Sequence, residues 1–113
     1  MAERWRADKD DVEEVTDFLT ARRKLRHLRV RRRGPLLTLE SGSTDDPIPH
    51  ARFRRTSVHL WTLECATHTG RWERTGYRAT LAKLLTLLTK ELPWVLAPRD
   101  FPHNPEENSG TRY

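Results

Sequence analysis

Twelve residues, Arg22 to Arg33, carry eight cationic side chains: Arg22, Arg23, Lys24, Arg26, Arg29, Arg31, Arg32 and Arg33. No acid interrupts them, and His27 sits in the middle. Like charge this dense repels itself, so it favours an anionic partner or an acidic surface close by. Arginine supplies 17 of the 21 cations in the chain. Its planar fork matches phosphate and carboxylate, where lysine offers only a point charge. Two further clusters follow, first Arg52, Arg54 and Arg55, then Arg71, Arg74 and Arg78. The chemistry this predicts is binding of nucleic-acid phosphates, which is strong at low salt and indifferent to sequence. The candidate contacts are Arg22, Arg23, Arg26, Arg29, Arg31, Arg33, Arg52, Arg54, Arg71 and Arg74.

Four tryptophans sharpen that reading. Trp61 and Trp72 fall among the arginines, and an exposed indole there would stack on an unpaired base. The competing expectation is that both rings fill the core. Trp94, beside an apolar helix, is expected to be structural, and Trp5, between Arg4 and Arg6, to be mobile or an anchor for a partner.

Other chemistries find little support. His59, Cys65 and His68 match no established zinc spacing, and six strand residues between His59 and Cys65 span roughly 20 Å, too far for one ion. Neither a metal nor any other cofactor is expected. Asp45, Asp46, Glu40 and Glu64 raise the question of a nuclease. However, an acid and a lysine two residues apart, needed on one strand, are missing: Glu64 is followed by Cys65 and Ala66. There is no Gly-rich phosphate loop and no G-x-S-x-G. No catalytic residue is assigned, and the chain is read as non-enzymatic.

The elements that must position the arginines follow from periodicity. At 113 residues the chain is expected to form one domain over 1–97, with a polar, flexible tail over 98–113. A single cysteine excludes an internal disulfide, and the polar start argues against a signal peptide, so a cytoplasmic location is expected. No apolar run approaches the roughly 20 residues needed to span a bilayer. Val12, Val15, Phe18, Leu19 and Leu25 predict a helix over 8–26, with acids in its first half and bases in its last turns, complementing the macrodipole. The acidic half is expected to lie near the Arg cluster and shield it.

The period then changes to two. Leu28 and Val30 point one way, while Arg29, Arg31 and Arg33 point the other. Gly34-Pro35 predicts a hairpin into a second strand over 36–40, and 41–49 reads as a loop. Residues 51–66 read as one long strand or two joined by a bulge, and 71–75 as a possible further strand. Tyr77, Leu81, Leu84, Leu85, Leu88 and Leu92 predict a helix capped by Thr75 or Gly76 and ended by Pro93. Its leucines are expected against Leu28, Val30, Leu37 and Leu39. Fold class is therefore α+β in the order α-β-β-β-(β)-α: an antiparallel sheet of three to four strands with both helices packed on one face.

That order is similar to that of double-stranded-RNA-binding domains, whose last helix begins with phosphate-gripping lysines. Here Arg71, Arg74 and Arg78 occupy that stretch and the paired lysines are absent, so the likeness is one of order alone. The functional expectation is a small basic module that binds nucleic-acid phosphates through an Arg-rich sheet surface, as an accessory subunit of a larger assembly. The alternative is an interaction adaptor whose Arg-rich face meets an acidic protein or a second copy of itself. No membrane partner is expected. DNA and RNA, single and double strands, pathway and oligomeric state are not distinguished by sequence.

Overall fold

A computed structural model describes residues 5–98. The chain is an α+β protein in which a five-stranded antiparallel sheet carries two helices. Helix α1 spans Lys9–Thr20 and helix α2 spans Leu81–Glu91. The strands are β1 (Arg29–Arg33), β2 (Leu36–Ser43), β3 (Asp46–Arg55), β4 (Trp61–Ala66) and β5 (Trp72–Ala79), and they lie in the sheet in chain order.

The sheet has one strand more than the sequence suggested. The segment 41–49, expected as a loop, is the tip of a second hairpin, turning at Thr44-Asp45. Over 51–66 the chain forms two antiparallel strands joined by a turn, rather than one long strand or two joined by a bulge. The likeness of order to double-stranded-RNA-binding domains therefore does not survive the strand count. The β1–β2 hairpin forms as its spacing implied, with Gly34 at φ 58 in the turn, a left-handed conformation that glycine adopts without a Cβ clash.

Helix α1 is shorter than the 8–26 periodicity implied. Asp8 caps it: its carboxylate accepts from the Asp11 N–H at 3.1 Å, and the Asp11 carboxylate accepts from the Asp8 N–H at 2.9 Å. This reciprocal box satisfies two amides that the helix leaves without partners. The helix ends at Thr20, and Arg23–Leu25 continues as a single 3-10 turn. Helix α2 is capped by Thr80, not by Thr75 or Gly76, which belong to β5 along with Tyr77.

Val15 and Leu19 of α1 join Leu81, Leu84, Leu85 and Leu88 of α2 over Leu37, Leu39, Phe53 and Leu63 of the sheet. The packing differs from the expected pairing of α2 with β1 and β2: α1 lies over β1, while α2 lies over β4 and β5. Alternation in the strands sets this inner face, because opposed residues in the register share a side. The C-terminal turn Pro93–Leu96 buries Val95 and Leu96, whereas Trp94, expected to be structural, is 66% exposed. Two bonds, one buried and one part-buried, hold that turn. His50 Nδ1 and His27 Nε2 lie 2.9 and 2.8 Å from the Val95 and Leu96 carbonyls. No helix among the described residues is long and apolar enough to cross a membrane. The expected tail lies, apart from Pro98, outside the described residues.

Candidate nucleic-acid interface

The outer face of the sheet is built by the same alternation that fills the core. Two rows of opposed residues cross all five strands. The first runs Arg31, Thr38, Arg52, Glu64, Arg74; the second runs Arg33, Leu36, Arg54, Thr62, Arg78. Each row places arginine on β1, β3 and β5. Strand geometry sets the backbone positions about 9–10 Å apart along a row and, on β1 and β3, about 7 Å apart between rows; on β5 four residues separate Arg74 from Arg78. The result is a two-by-three grid of guanidinium groups. Arg29, opposite Glu40 on the same face, extends it along β1.

A bulge keeps β5 in this pattern. Thr62 opposes Arg78 and Glu64 opposes Arg74, so three residues of β4 face five of β5. Gly76, at φ 87, occupies the irregular stretch, and the Thr75 hydroxyl donates to the Leu63 carbonyl at 2.9 Å. The extra residues return Arg78 to the side of Arg74.

Two carboxylates sit within the grid. Glu40 takes Arg29 Nε on Oε2 at 3.2 Å and Arg31 Nε on Oε1 at 3.1 Å. Glu64 takes Arg52 Nε on Oε1 and lies 3.9 Å from Arg54 through Oε2. Each acid is thus bracketed by two guanidinium groups, one per oxygen. Glu40 and Glu64 are 4% and 6% exposed, and buried charge is tolerated only when paired in this way. Arg33, Arg74 and Arg78 are exposed and have no ion pair among the described residues.

Not every expected contact reaches this face. Arg22 donates to the Phe18 carbonyl at 3.1 Å and stacks 3.6 Å over the Phe18 ring; Arg26 donates to the Thr20 carbonyl at 3.2 Å. Both neutralise the carbonyl end of α1, and Arg23 lies in the adjoining turn, so none of the three belongs to a sheet strand. Arg71 lies one residue before β5, in the β4–β5 turn. Arg55 opposes Trp61 on the inner side, where it bonds the Arg6 carbonyl at 2.9 Å and the Asp11 carboxylate at 3.2 Å.

The acidic helix does not shield the arginines of the outer face. Val15 and Leu19 commit α1 to the inner face, and its acids Asp8 and Asp11 pair with Arg55. Burial pushes the Asp11 carboxyl above its ordinary value. Shielding comes from Glu40 and Glu64 instead. Sequence considered both only as possible metal ligands. The alternation Leu36, Thr38, Glu40 against Leu37, Leu39 would have placed Glu40 outward.

The tryptophans separate. Trp61 is 2% exposed on the inner face, so it fills core volume and its ring is not open to a base. Trp72 is half-buried on the outer face, opposite Ala66, and the Arg52 guanidinium lies 4.3 Å over its ring. Among the described residues Ser41 and His50 form a hydroxyl–imidazole pair worth testing as a nucleophile and base, at 2.8 Å. Both are buried and the second ring nitrogen faces the Val95 carbonyl, so the pair ties the sheet to the C-terminal turn. Burial, reinforced by the Glu73 carboxylate, pushes the Cys65 thiol up and away from its reactive thiolate form. Among the described residues no group of three or more His, Cys, Asp or Glu is placed to hold a metal ion.

No family model, curated protein or solved structure matches this chain, so the geometry of its own surfaces must carry the functional argument.

Proposed function

We propose that this chain is a small non-enzymatic module that binds nucleic-acid phosphates through the outer face of its sheet. The observation that carries the reading is the grid: arginines from β1, β3 and β5 repeat in two rows on a face that neither helix covers. Rigid strands hold the guanidinium groups at fixed separations, which suits a repeating anion better than a single one. Arg52 and Arg54, held by Glu64, and Arg29 and Arg31, held by Glu40, are ordered before a ligand arrives, so less side-chain entropy is lost on binding. Arg33, Arg74 and Arg78 supply cationic charge not offset by these acids.

The test is titration of labelled single- and double-stranded oligonucleotides at about 50 mM salt, where electrostatic binding is strong. Saturable binding that weakens steeply with added salt supports the reading, and failure to bind either form rejects it.

A second reading has one observation in its favour. Leu36, Pro47, Pro49 and Trp72 give part of the face an apolar character, as an adaptor for an acidic protein or for a second copy of the chain would need. It predicts nucleic-acid-free protein of defined oligomeric mass.

A further inference from the structure

The outer face is not a uniform cationic plane. Beside the first row it dips into a depression of about 260 Å³ reaching from β1 across to Trp72 on β5. Sites for drug-sized ligands run about 300–1,000 Å³, so this one suits a single planar group. Its parts are chemically distinct. Leu36, Pro47 and Pro49 are apolar. Glu40 presents a buried carboxylate, and Thr38 a hydroxyl. Arg31, Arg33 and Arg52 are cationic, and Trp72 is aromatic.

A phosphate alone fits this set poorly, because Glu40 would repel it. A nucleobase fits it well. Arg52 is held by Glu64 and backed by the Trp72 ring at 4.3 Å, so its guanidinium plane is fixed as a stacking surface. Proteins that recognise unpaired bases stack them on aromatic rings or on arginine planes. The Glu40 carboxylate accepts from Arg29 and Arg31 and has lone pairs left to accept from an exocyclic amino group. Arg33, exposed and without a carboxylate among the described residues, opens onto the same depression, where the phosphate attached to that base would lie.

We propose that the ligand of this face is a single-stranded nucleic acid, one of whose unpaired bases lodges in the depression against Arg52 and Trp72. The inference rests on the phosphate-binding reading and adds to it the strandedness of the ligand. A paired base in a duplex has its flat faces covered by its neighbours and cannot enter.

The experiment compares four probes against the intact chain at about 50 mM salt: a labelled 12-nucleotide strand of mixed sequence, its duplex, a 12-unit abasic deoxyribose-phosphate strand, and a free nucleoside monophosphate as competitor. The base-bearing single strand is expected to bind roughly 5- to 100-fold more tightly than the abasic strand. Trp72→Ala should remove most of that difference, read as the ratio of base-bearing to abasic affinity, while Trp72→Phe should restore it in part. Equal affinity for the abasic strand and the base-bearing strand in the unmodified protein overturns the base site while leaving phosphate binding intact, and needs no variant to fold. Tighter binding of the duplex than of the single strand overturns it too. Competition by the monophosphate at micromolar concentration overturns the strand as the source of the nucleotide. Failure to bind any of the three polymers rejects the phosphate reading itself.

Discussion

The two faces of one sheet solve opposite problems with the same alternation. On the inner face Leu37, Leu39, Phe53 and Leu63 lie under two helices and exclude water. On the outer face their neighbours Thr38, Arg52 and Arg54 lie under no helix, and two buried glutamates, Glu40 and Glu64, hold the arginines around them. The inner face derives stability from apolar area removed from water. The outer face adds little, because ion pairs open to solvent on one side offset their own desolvation. Such a face is retained for what it presents, while the inner face is retained for holding it flat.

The contrast is open to direct attack. The largest effect should come from the inner face. Phe53→Ala is expected to cost about 3–5 kcal/mol and Leu84→Ala about 2–5 kcal/mol, read from denaturant melts, because both side chains are fully buried. A loss under about 1 kcal/mol at either site would mean that the covered face is not the core.

Next comes the boundary between the two faces. Glu64→Gln removes a carboxylate shared by Arg52 and Arg54 and leaves a half-buried guanidinium short of its partner. It should cost about 1–3 kcal/mol in stability. On the proposed function it should also tighten nucleic-acid binding, since one negative charge leaves the grid. Loss of stability together with weaker binding would mean that ordering of Arg52 outweighs the charge removed.

A smaller effect belongs to α1. Asp8→Ala should cost about 1 kcal/mol at neutral pH through loss of the cap. The Asp11 N–H bonded to it holds the Asp8 carboxyl below its ordinary value of 3.8. An acid with a lowered folded pKa stabilises the fold above its unfolded pKa and loses that contribution as pH falls through the folded value. The difference between wild type and variant should therefore shrink below about pH 4 and be flat above about pH 5. A difference that grows in acid would contradict the capping assignment.

Much of this contrast could be read from residue order. Arg29, Arg31 and Arg33 alternate with Val30, and Leu84, Leu85 and Leu88 repeat at helical spacing, so inward and outward sides were legible before any register was known. The strand count was not. Pro47 and Pro49 mark a loop by composition, yet they lie in β3. Pairing of β3 with β4 begins only at Ala51, so over 46–49 the strand has a neighbour on one side, where proline's missing donor is tolerated. The acidic first helix also reads as a shield for the basic run, because charge is visible in sequence and the face chosen by Val15 and Leu19 is not. Trp61 and Trp72 look alike in sequence and fall on opposite faces because their strands meet the register differently. The partners of the outer-face arginines, Glu40 and Glu64, are 24 residues apart in the chain and reach one face only through the registers of β2, β3 and β4.

The smallest effect on stability, and the largest on function, should come from Arg33, Arg74 and Arg78. These are the grid arginines without an ion pair among the described residues, whereas removing Arg29 and Arg31 would strand Glu40. Each exposed substitution should change stability by no more than about 0.5 kcal/mol. The decisive measurement is the salt dependence of oligonucleotide binding in wild type and in the Arg33→Ala, Arg74→Ala, Arg78→Ala triple variant. Wild type should bind at about 50 mM salt, and the variant should bind more weakly with a log–log salt slope shallower by roughly 2–3, for three lost phosphate contacts. No binding by wild type, or a slope unchanged in a variant that melts like wild type, would contradict the account of the outer face as a phosphate-binding surface.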